Sequence, residues 1–222
     1  MKRSKTIIYL TIGLMIITSC NDQTETQSQD NKLEDTTKSH ETVIEKSPVE
    51  KETYSFQKTL EFKNISFEIN TKGNGSLRQL FIQSKGFEET NKRLELQIDG
   101  KVTDAQVADL NADGFPELLI FTQSAGSGTY GNVIAFSANG TKSLSQVYFP
   151  PVSENPKLKK GYMGHDTFSV NGSALIQEFP IYKAGDPNSN PTGGIRRIQY
   201  KLVNGEATRK FVADKISESP SK

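Results

Sequence analysis

The sequence has one cysteine, two histidines and no tryptophan among its 222 residues. A single cysteine excludes an intrachain disulfide and any zinc site built from several thiolates. Two histidines are too few for a multi-histidine metal centre. The 27 Lys and Arg residues are balanced by 26 Asp and Glu, so the chain lacks the basic excess typical of nucleic-acid-binding proteins. We therefore expect no nucleic-acid partner.

Long hydrophobic runs are also lacking, and the most apolar segment, residues 6–17, follows a basic start at Lys2, Arg3 and Lys5. About twelve apolar residues are too few to span a bilayer but suit the core of a signal peptide. The segment ends in Ile17-Thr18-Ser19-Cys20, which resembles a bacterial lipobox. We expect residues 1–19 to be a lipoprotein signal peptide. Lipid on Cys20 would then anchor the protein in the cell envelope, in an outer membrane facing the periplasm or the surface. The alternative is an ordinary secretory signal with a chance cysteine.

The composition changes sharply after Cys20. Residues 21–52 hold nine acidic residues, four lysines and only four aliphatic residues. Such a segment buries too little apolar surface to offset the entropy of ordering its chain. We expect residues 20–52 to be the lipidated cysteine and a disordered acidic tether, with a short helix around residues 33–46 as the alternative.

Residues 53–222 have the period-two pattern of β-strands. Residues 65–69 and 94–98 alternate between apolar and polar side chains, whereas residues 118–121 and 132–136 are fuller apolar runs. Later strand candidates are residues 146–149, 167–170, 174–179, 195–202 and 211–216. No helix longer than two turns is expected, and residues 155–160 could form one short turn.

Glycine-containing turn signals separate these runs. They lie at residues 72–75, 99–100, 138–140, 171–172 and 204–205. Asp-Gly and Asn-Gly between alternating segments are strong hairpin signals. The pattern predicts one all-β domain, an antiparallel β-sandwich of about eight or more strands.

Oxygen-bearing side chains recur at alternate positions in residues 109–117, at Asp109, Asn111, Asp113 and Glu117. Such spacing with a following Gly114 can surround Ca²⁺. The twelfth position of this loop is Ile120, so the loop is not an EF-hand. One interpretation is a calcium site between strands; the other is an Asx-rich turn that bonds its own backbone.

Residues 124–131 are small except for one aromatic: Ser-Ala-Gly-Ser-Gly-Thr-Tyr-Gly. A phosphate-binding loop would carry a lysine and precede a helix, whereas here a strand follows. A narrow loop that enters a cleft fits better, because the Ser127 and Tyr130 hydroxyls can bond carboxylates and tyrosine gives contact area at low entropy cost. The alternative is a flexible hairpin.

His165 lies next to Asp166, which raises the idea of a catalytic triad with Ser127. No nucleophile elbow accompanies them, and a structural histidine at a loop–strand junction is the better interpretation. The chain is not expected to be an enzyme.

Together these segments resemble the PliI family, periplasmic inhibitors of invertebrate-type (I-type) lysozyme. The similarity runs over residues 60–216. It is carried by residues 107–114 with Pro116-Glu117, residues 124–131, residues 161–166, residues 179–182 with Gly185-Asp186, and residues 191–194 with Gln199-Tyr200.

The resemblance implies a non-catalytic β-sandwich, often dimeric, that blocks the active-site cleft of a lysozyme without a cofactor. Bacterial lysozyme inhibitors share a Ser-Gly-x-Tyr loop, which here reads Ser127-Gly128-Thr129-Tyr130. The resemblance therefore implies lysozyme as the partner, of the I-type by family, and a homodimer is expected from the family alone. Typical members are soluble in the periplasm, so the lipobox is a departure.

Two rival functions remain open on the residues. A calcium-dependent carbohydrate-binding or adhesive envelope lipoprotein would use the same β-scaffold and the loop at residues 109–117. Glycan binding that is lost with a chelator would distinguish it. An enzyme is the weakest reading, because few side chains other than carboxylates and Ser127 could carry chemistry.

Overall fold

The computed structural model describes residues 53–89 and 93–220. The predicted signal peptide, Cys20 and the acidic tether lie outside the described residues. The described residues belong to one compact unit. The twelve strands are β1 (Phe56–Phe62), β2 (Ile65–Lys72), β3 (Leu77–Lys85), β4 (Leu94–Asp99), β5 (Lys101–Ala108), β6 (Glu117–Gln123), β7 (Gly131–Asn139), β8 (Ser143–Val147), β9 (Thr167–Asn171), β10 (Ala174–Pro180), β11 (Ile195–Asn204) and β12 (Arg209–Ser219).

The strands form three antiparallel sheets of four strands each. The first sheet has the order β1-β2-β3-β4, the middle sheet β5-β6-β7-β8, and the third sheet β12-β11-β10-β9. A short 3₁₀-helix, Val152–Glu154, lies between β8 and β9. The prediction of an all-β sandwich with at least eight strands is confirmed.

Two hydrophobic cores lie on the two faces of the middle sheet. On β6, Leu118 and Ile120 pack in the core shared with the first sheet. Leu119 and Phe121 pack in the core shared with the third sheet. Successive side chains of a strand point to opposite faces, so a continuous apolar run is what a strand buried on both faces requires. The molecule is thus a sandwich of three layers.

Four of the five predicted hairpins are confirmed: β2–β3, β7–β8, β9–β10 and β11–β12 pair across their glycine turns. The hairpin predicted at Asp99-Gly100 is wrong, because β4 pairs with β3 whereas β5 pairs with β6. The chain instead crosses there from the first sheet to the middle sheet. A Cβ at Gly100 would overlap the Gln123 carbonyl oxygen, and the φ of Gly100 is +79°. Glycine is therefore required for this close crossing.

The β6–β7 hairpin positions the candidate site. Gln123 is paired with Gly131, so residues 124–130 project beyond the last pair of the ladder. Both strands lie in the centre of the molecule, with Phe121 and Val133 buried near the base of the loop. The loop therefore rests on buried strands at the centre of the fold.

Candidate functional site

The loop of residues 124–130, hereafter the binding loop, is closed by its own hydrogen bonds. The Ser124 amide donates to the Tyr130 carbonyl at 2.8 Å, and the Tyr130 amide donates to Ser124 Oγ at 3.0 Å. The Thr129 amide donates to the Gly126 carbonyl at 3.0 Å. These bonds satisfy backbone groups that a flexible hairpin would leave to water.

The tip of the binding loop faces solvent. Ala125, Gly126 and Ser127 are exposed, and the Tyr130 side chain is 47% exposed. Within residues 53–89 and 93–220, neither the Ser127 hydroxyl nor the Gly128 amide has a hydrogen-bond acceptor. The tip therefore presents two free donors beside one exposed aromatic ring.

A second segment, residues 161–166, braces the loop from the side. The His165 amide donates to the Gly128 carbonyl at 2.8 Å, and His165 Nδ1 lies 3.0 Å from Thr129 Oγ1. A Cβ at Gly164, whose φ is +88°, would lie 2.0 Å from the Gly128 carbonyl oxygen. Only glycine allows the two segments to approach so closely.

A third segment reaches the same place from the turn after β10. Asn188 Nδ2 donates to the Ser127 carbonyl at 3.0 Å, and Asn188 Oδ1 lies 3.3 Å from His165 Nε2. This segment is itself ordered by Asp186, which accepts hydrogen bonds from the Lys183 and Thr192 amides. These backbone bonds hold the pKa of Asp186 below its ordinary value. Three segments that are distant in sequence thus meet at the binding loop.

The base of the loop is tied to a buried polar network centred on Asp166, which is 7% exposed. Its carboxylate accepts from the Gly131 amide at 2.8 Å, from Tyr162 Oη at 2.7 Å and from Gln177 Nε2 at 2.6 Å. Gln177 Oε1 in turn accepts from Tyr200 Oη at 2.7 Å. Burial raises the pKa of the Asp166 carboxyl above its ordinary value, although the three donors act in the opposite direction.

Aromatic packing extends from this network to the tip. Tyr162 makes an edge-to-face contact with Tyr130, with ring centroids 5.6 Å apart, and another with Phe179 at 4.6 Å. Burial raises the pKa of Tyr162, and the nearby Asp166 adds to the shift, so its hydroxyl stays protonated and donates. Tyr130 is therefore held on one side while its other surface stays exposed. Met163, which follows Tyr162 in the sequence, is 39% exposed.

The structure does not bring Ser127, His165 and Asp166 together as a triad. The His165 ring contacts Thr129 and Asn188, and the Asp166 carboxylate contacts the three donors named above. Ser127 is linked to this group through its backbone carbonyl. The arrangement supports a loop and does not activate a nucleophile.

The loop at residues 109–117 lies elsewhere, at the opposite end of β6. Both Asp109 oxygens accept backbone amides, from Asp113 at 3.1 Å and Gly114 at 2.9 Å. Asp113 accepts from the Phe115 amide and from Asn111 Nδ2. The buried Glu117 accepts from the Leu110 amide at 2.7 Å and from Ser137 Oγ at 2.6 Å, and its burial raises its pKa.

These contacts are those of an Asx-rich turn, and a calcium ion would have to displace several of them. Among the described residues, no group of three or more His, Cys, Asp or Glu is arranged to hold a metal ion. Calcium at Asp109, Asn111, Asp113 and Glu117 stays a prediction that calorimetric titration tests. Heat and a raised melting temperature are expected if Ca²⁺ binds, and neither is expected if the loop is only a turn.

Two supporting residues were missed by the sequence reasoning. Gln177 is a polar residue within an apolar strand candidate, which is a signal that could have marked it as part of a buried network. Asn188 lies in a polar turn where nothing in the sequence distinguishes it. No helix within residues 53–89 and 93–220 is long and apolar enough to cross a membrane.

Comparison with known proteins gives one family match. Residues 81–153 match the model of PliI, the periplasmic lysozyme inhibitor of I-type lysozyme. The curated proteins contain no match to this chain. The matched range includes the binding loop and the loop at residues 109–117, whereas the two supporting segments follow it in the sequence. The resemblance to the PliI family that the sequence motifs indicate is therefore confirmed over residues 81–153.

Proposed function

We propose that this protein is a reversible inhibitor of I-type lysozyme that inserts its binding loop into the active-site cleft of the enzyme and so protects peptidoglycan. The family match supports an inhibitor of I-type lysozyme located in the periplasm, and it points away from an enzyme. The insertion of the loop is our own inference from its geometry.

One observation carries the proposal: the tip of the binding loop has free hydrogen-bond donors, although hydrogen bonds hold the base of the loop and connect it to the two neighbouring segments. Ser127 Oγ and the Gly128 amide are unpaired among the described residues, whereas the Ser127 and Gly128 carbonyls accept from Asn188 and His165. A loop already fixed in its bound shape loses little conformational entropy on binding. This is the property expected of a rigid loop that enters and blocks the cleft of an enzyme.

The chemistry of the target matches these donors. Glycosidases of the lysozyme type place two carboxyl groups across the scissile bond. In the proposed complex Ser127 Oγ and the Gly128 amide donate to these carboxylates, and charge-assisted hydrogen bonds of this kind are among the stronger ones. Tyr130, braced by Tyr162, packs against the wall of the cleft. No covalent step is involved, so inhibition is reversible.

Single substitutions in the binding loop test the proposal. Ser127→Ala and Tyr130→Ala should each weaken inhibition of an I-type lysozyme at least tenfold, which corresponds to about 1.4 kcal/mol. The matched controls are Ser173→Ala, at an exposed serine in the β9–β10 turn, and Tyr148→Ala, at a tyrosine that is 46% exposed. Inhibition constants that are unchanged in both loop variants would contradict the loop assignment.

How the protein is anchored in the cell envelope is a separate proposal. We propose that lipid on Cys20 anchors the protein and that residues 21–52 link the anchor to the domain, because the lipobox-like sequence Ile17-Thr18-Ser19-Cys20 follows a signal-like apolar segment. A tether of this length would keep the domain near the membrane, within about 110 Å if fully extended. A homodimer remains a proposal from the family alone, and sedimentation of the purified protein tests it.

A further inference from the structure

A cleft of about 470 Å³ opens beside the exposed face of Tyr130. Tyr162, Phe149 and Val152 give it an apolar floor, and Lys159 lies at its rim. The cleft is continuous with the binding loop, because Tyr130 lines it. A partner that receives the binding loop therefore comes close to this cleft and to the segment that contains Lys159.

The bordering segment, residues 157–160, is held firmly in place. Leu158 is 3% exposed and packs in the core shared by the middle and third sheets. The buried guanidinium of Arg196 donates to the Leu158 carbonyl at 2.6 Å and to the Lys160 carbonyl at 2.9 Å. The Tyr162 amide donates to the Lys159 carbonyl at 3.1 Å. The backbone of this segment is thus fixed relative to Tyr162 and the binding loop.

The three lysines of the segment point to solvent without a partner. Lys157, Lys159 and Lys160 are exposed, and none of them forms an ion pair within the part of the chain that the structure describes. The nearby Glu154 accepts a hydrogen bond from Tyr148, and Glu218 pairs with Arg196. A fixed backbone therefore displays three unpaired positive charges, and one of them, Lys159, lines the cleft beside Tyr130. We call residues 157–160 the lysine segment.

We propose that the lysine segment is a second contact surface for the lysozyme, and that it binds an acidic rim of the enzyme's cleft while the binding loop enters the cleft. This inference rests on the proposed function and adds a partner surface to it. Positive charge beside the loop complements the two catalytic carboxylates of the target. Charges at the rim of an interface mainly raise the association rate and make it sensitive to salt.

The test compares association kinetics of two charge-matched triple variants. The first carries Lys157→Gln, Lys159→Gln and Lys160→Gln. The control carries Lys85→Gln, Lys142→Gln and Lys210→Gln, at exposed lysines toward the end of the strands away from the binding loop. Both remove three positive charges, so the net charge of the protein changes equally. The full protein and an I-type lysozyme are mixed at 20 mM and 500 mM NaCl.

Electrostatic steering raises association rates by factors of 10 to 1,000, and we expect the lysine-segment variant to associate about tenfold more slowly at low salt. The difference should almost disappear at high salt, where the Debye length is only a few ångström. The control variant should associate as the unaltered protein does. The single variant Lys159→Gln should show a smaller loss in the same direction.

Equal association rates for the unaltered protein and the lysine-segment variant would overturn the inference. So would an equal loss in both triple variants, because it would show an effect of net charge alone. In either case Ser127→Ala and Tyr130→Ala would still weaken inhibition if the proposed function is right. If the unaltered protein does not inhibit the lysozyme, both proposals are wrong.

Discussion

Replacing Asp166 by alanine is the sharpest probe of how the binding loop is supported. Asp166 is 7% exposed, and its carboxylate accepts three hydrogen bonds, one from the amide of Gly131, the residue that follows the binding loop, and two from Tyr162 and Gln177. Alanine removes both carboxylate oxygens and with them all three hydrogen bonds. Tyr162 would then lose the bond that orients it against Tyr130.

The size of the effect follows from the number of donors left unpaired. An unsatisfied buried donor costs about 1–3 kcal/mol, so three donors at the lower end amount to about 3 kcal/mol. For a domain of this size, each kcal/mol lowers the melting temperature by about 2–4 °C, which gives about 6–12 °C in total. A water molecule in the vacated space would reduce this loss. Inhibition should weaken about tenfold, because the loop is no longer held in one shape.

Asp166→Asn is the matched control. The asparagine oxygen can accept from Gly131 and Tyr162 while its amide donates to Gln177 Oε1. Gln177 then donates to Tyr200 Oη after its own amide rotates, so four hydrogen bonds are kept and only the Tyr200 hydroxyl hydrogen, which now donates to Gln177 Oε1, loses its acceptor. We expect the asparagine variant to be clearly more stable than the alanine variant, since one buried donor is left unpaired and not three. Urea unfolding measures the difference. Equal stability of the alanine and asparagine variants would refute the role of the network.

The difference in unfolding free energy between the unaltered protein and the Asp166→Asn variant should depend on pH. Burial raises the pKa of Asp166 in the folded state. The stability that this group contributes is therefore fully present below its ordinary pKa and is lost as the pH rises through the raised value. Asp166→Asn lacks this titration. The unfolding free energy of the unaltered protein should fall relative to that of the asparagine variant across this interval, and parallel curves would contradict the assignment.

Two further substitutions have clear expected outcomes. Gly164→Ala should weaken inhibition at least tenfold, since its Cβ would overlap the Gly128 carbonyl. The control Gly75→Ala lies outside the binding loop, and its Cβ would meet only the Leu77 carbonyl oxygen at 3.9 Å, so it should inhibit normally. Equal inhibition constants for the two would be inconsistent with the close packing of the segments. Cys20→Ser should abolish incorporation of labelled fatty acid and release the protein from the membrane fraction, and retained label would show that Cys20 is not the lipidation site.

Much of the strand pattern could be predicted because it depends on local alternation. The continuous apolar run at residues 118–121 marks a strand buried on both faces, and β6 does lie between two cores. Turn residues show where the chain reverses but not which strand it joins next. Asp99-Gly100 has the residues of a hairpin and instead carries the chain from one sheet to another. The three-layer arrangement therefore could not be derived from turn signals.

The candidate site was only partly accessible from the sequence for a similar reason. The composition of residues 124–130 indicates an exposed loop, and His165 and Asp166 attract attention as neighbours. Their actual partners, Asn188 and Gln177, lie 23 and 11 positions further along the chain. Contacts of this kind depend on how the sheets pack, so the sequence could favour a structural histidine at residue 165 without naming the partners of His165 and Asp166.

The central claim is tested most directly by the residual activity of purified lysozymes mixed with increasing amounts of this protein. Invertebrate-, chicken- and goose-type enzymes are assayed in parallel on peptidoglycan. We predict that the activity of the I-type enzyme falls to near zero and recovers on dilution, because the inhibition is reversible. Full activity of the I-type enzyme in the presence of excess protein would contradict the account.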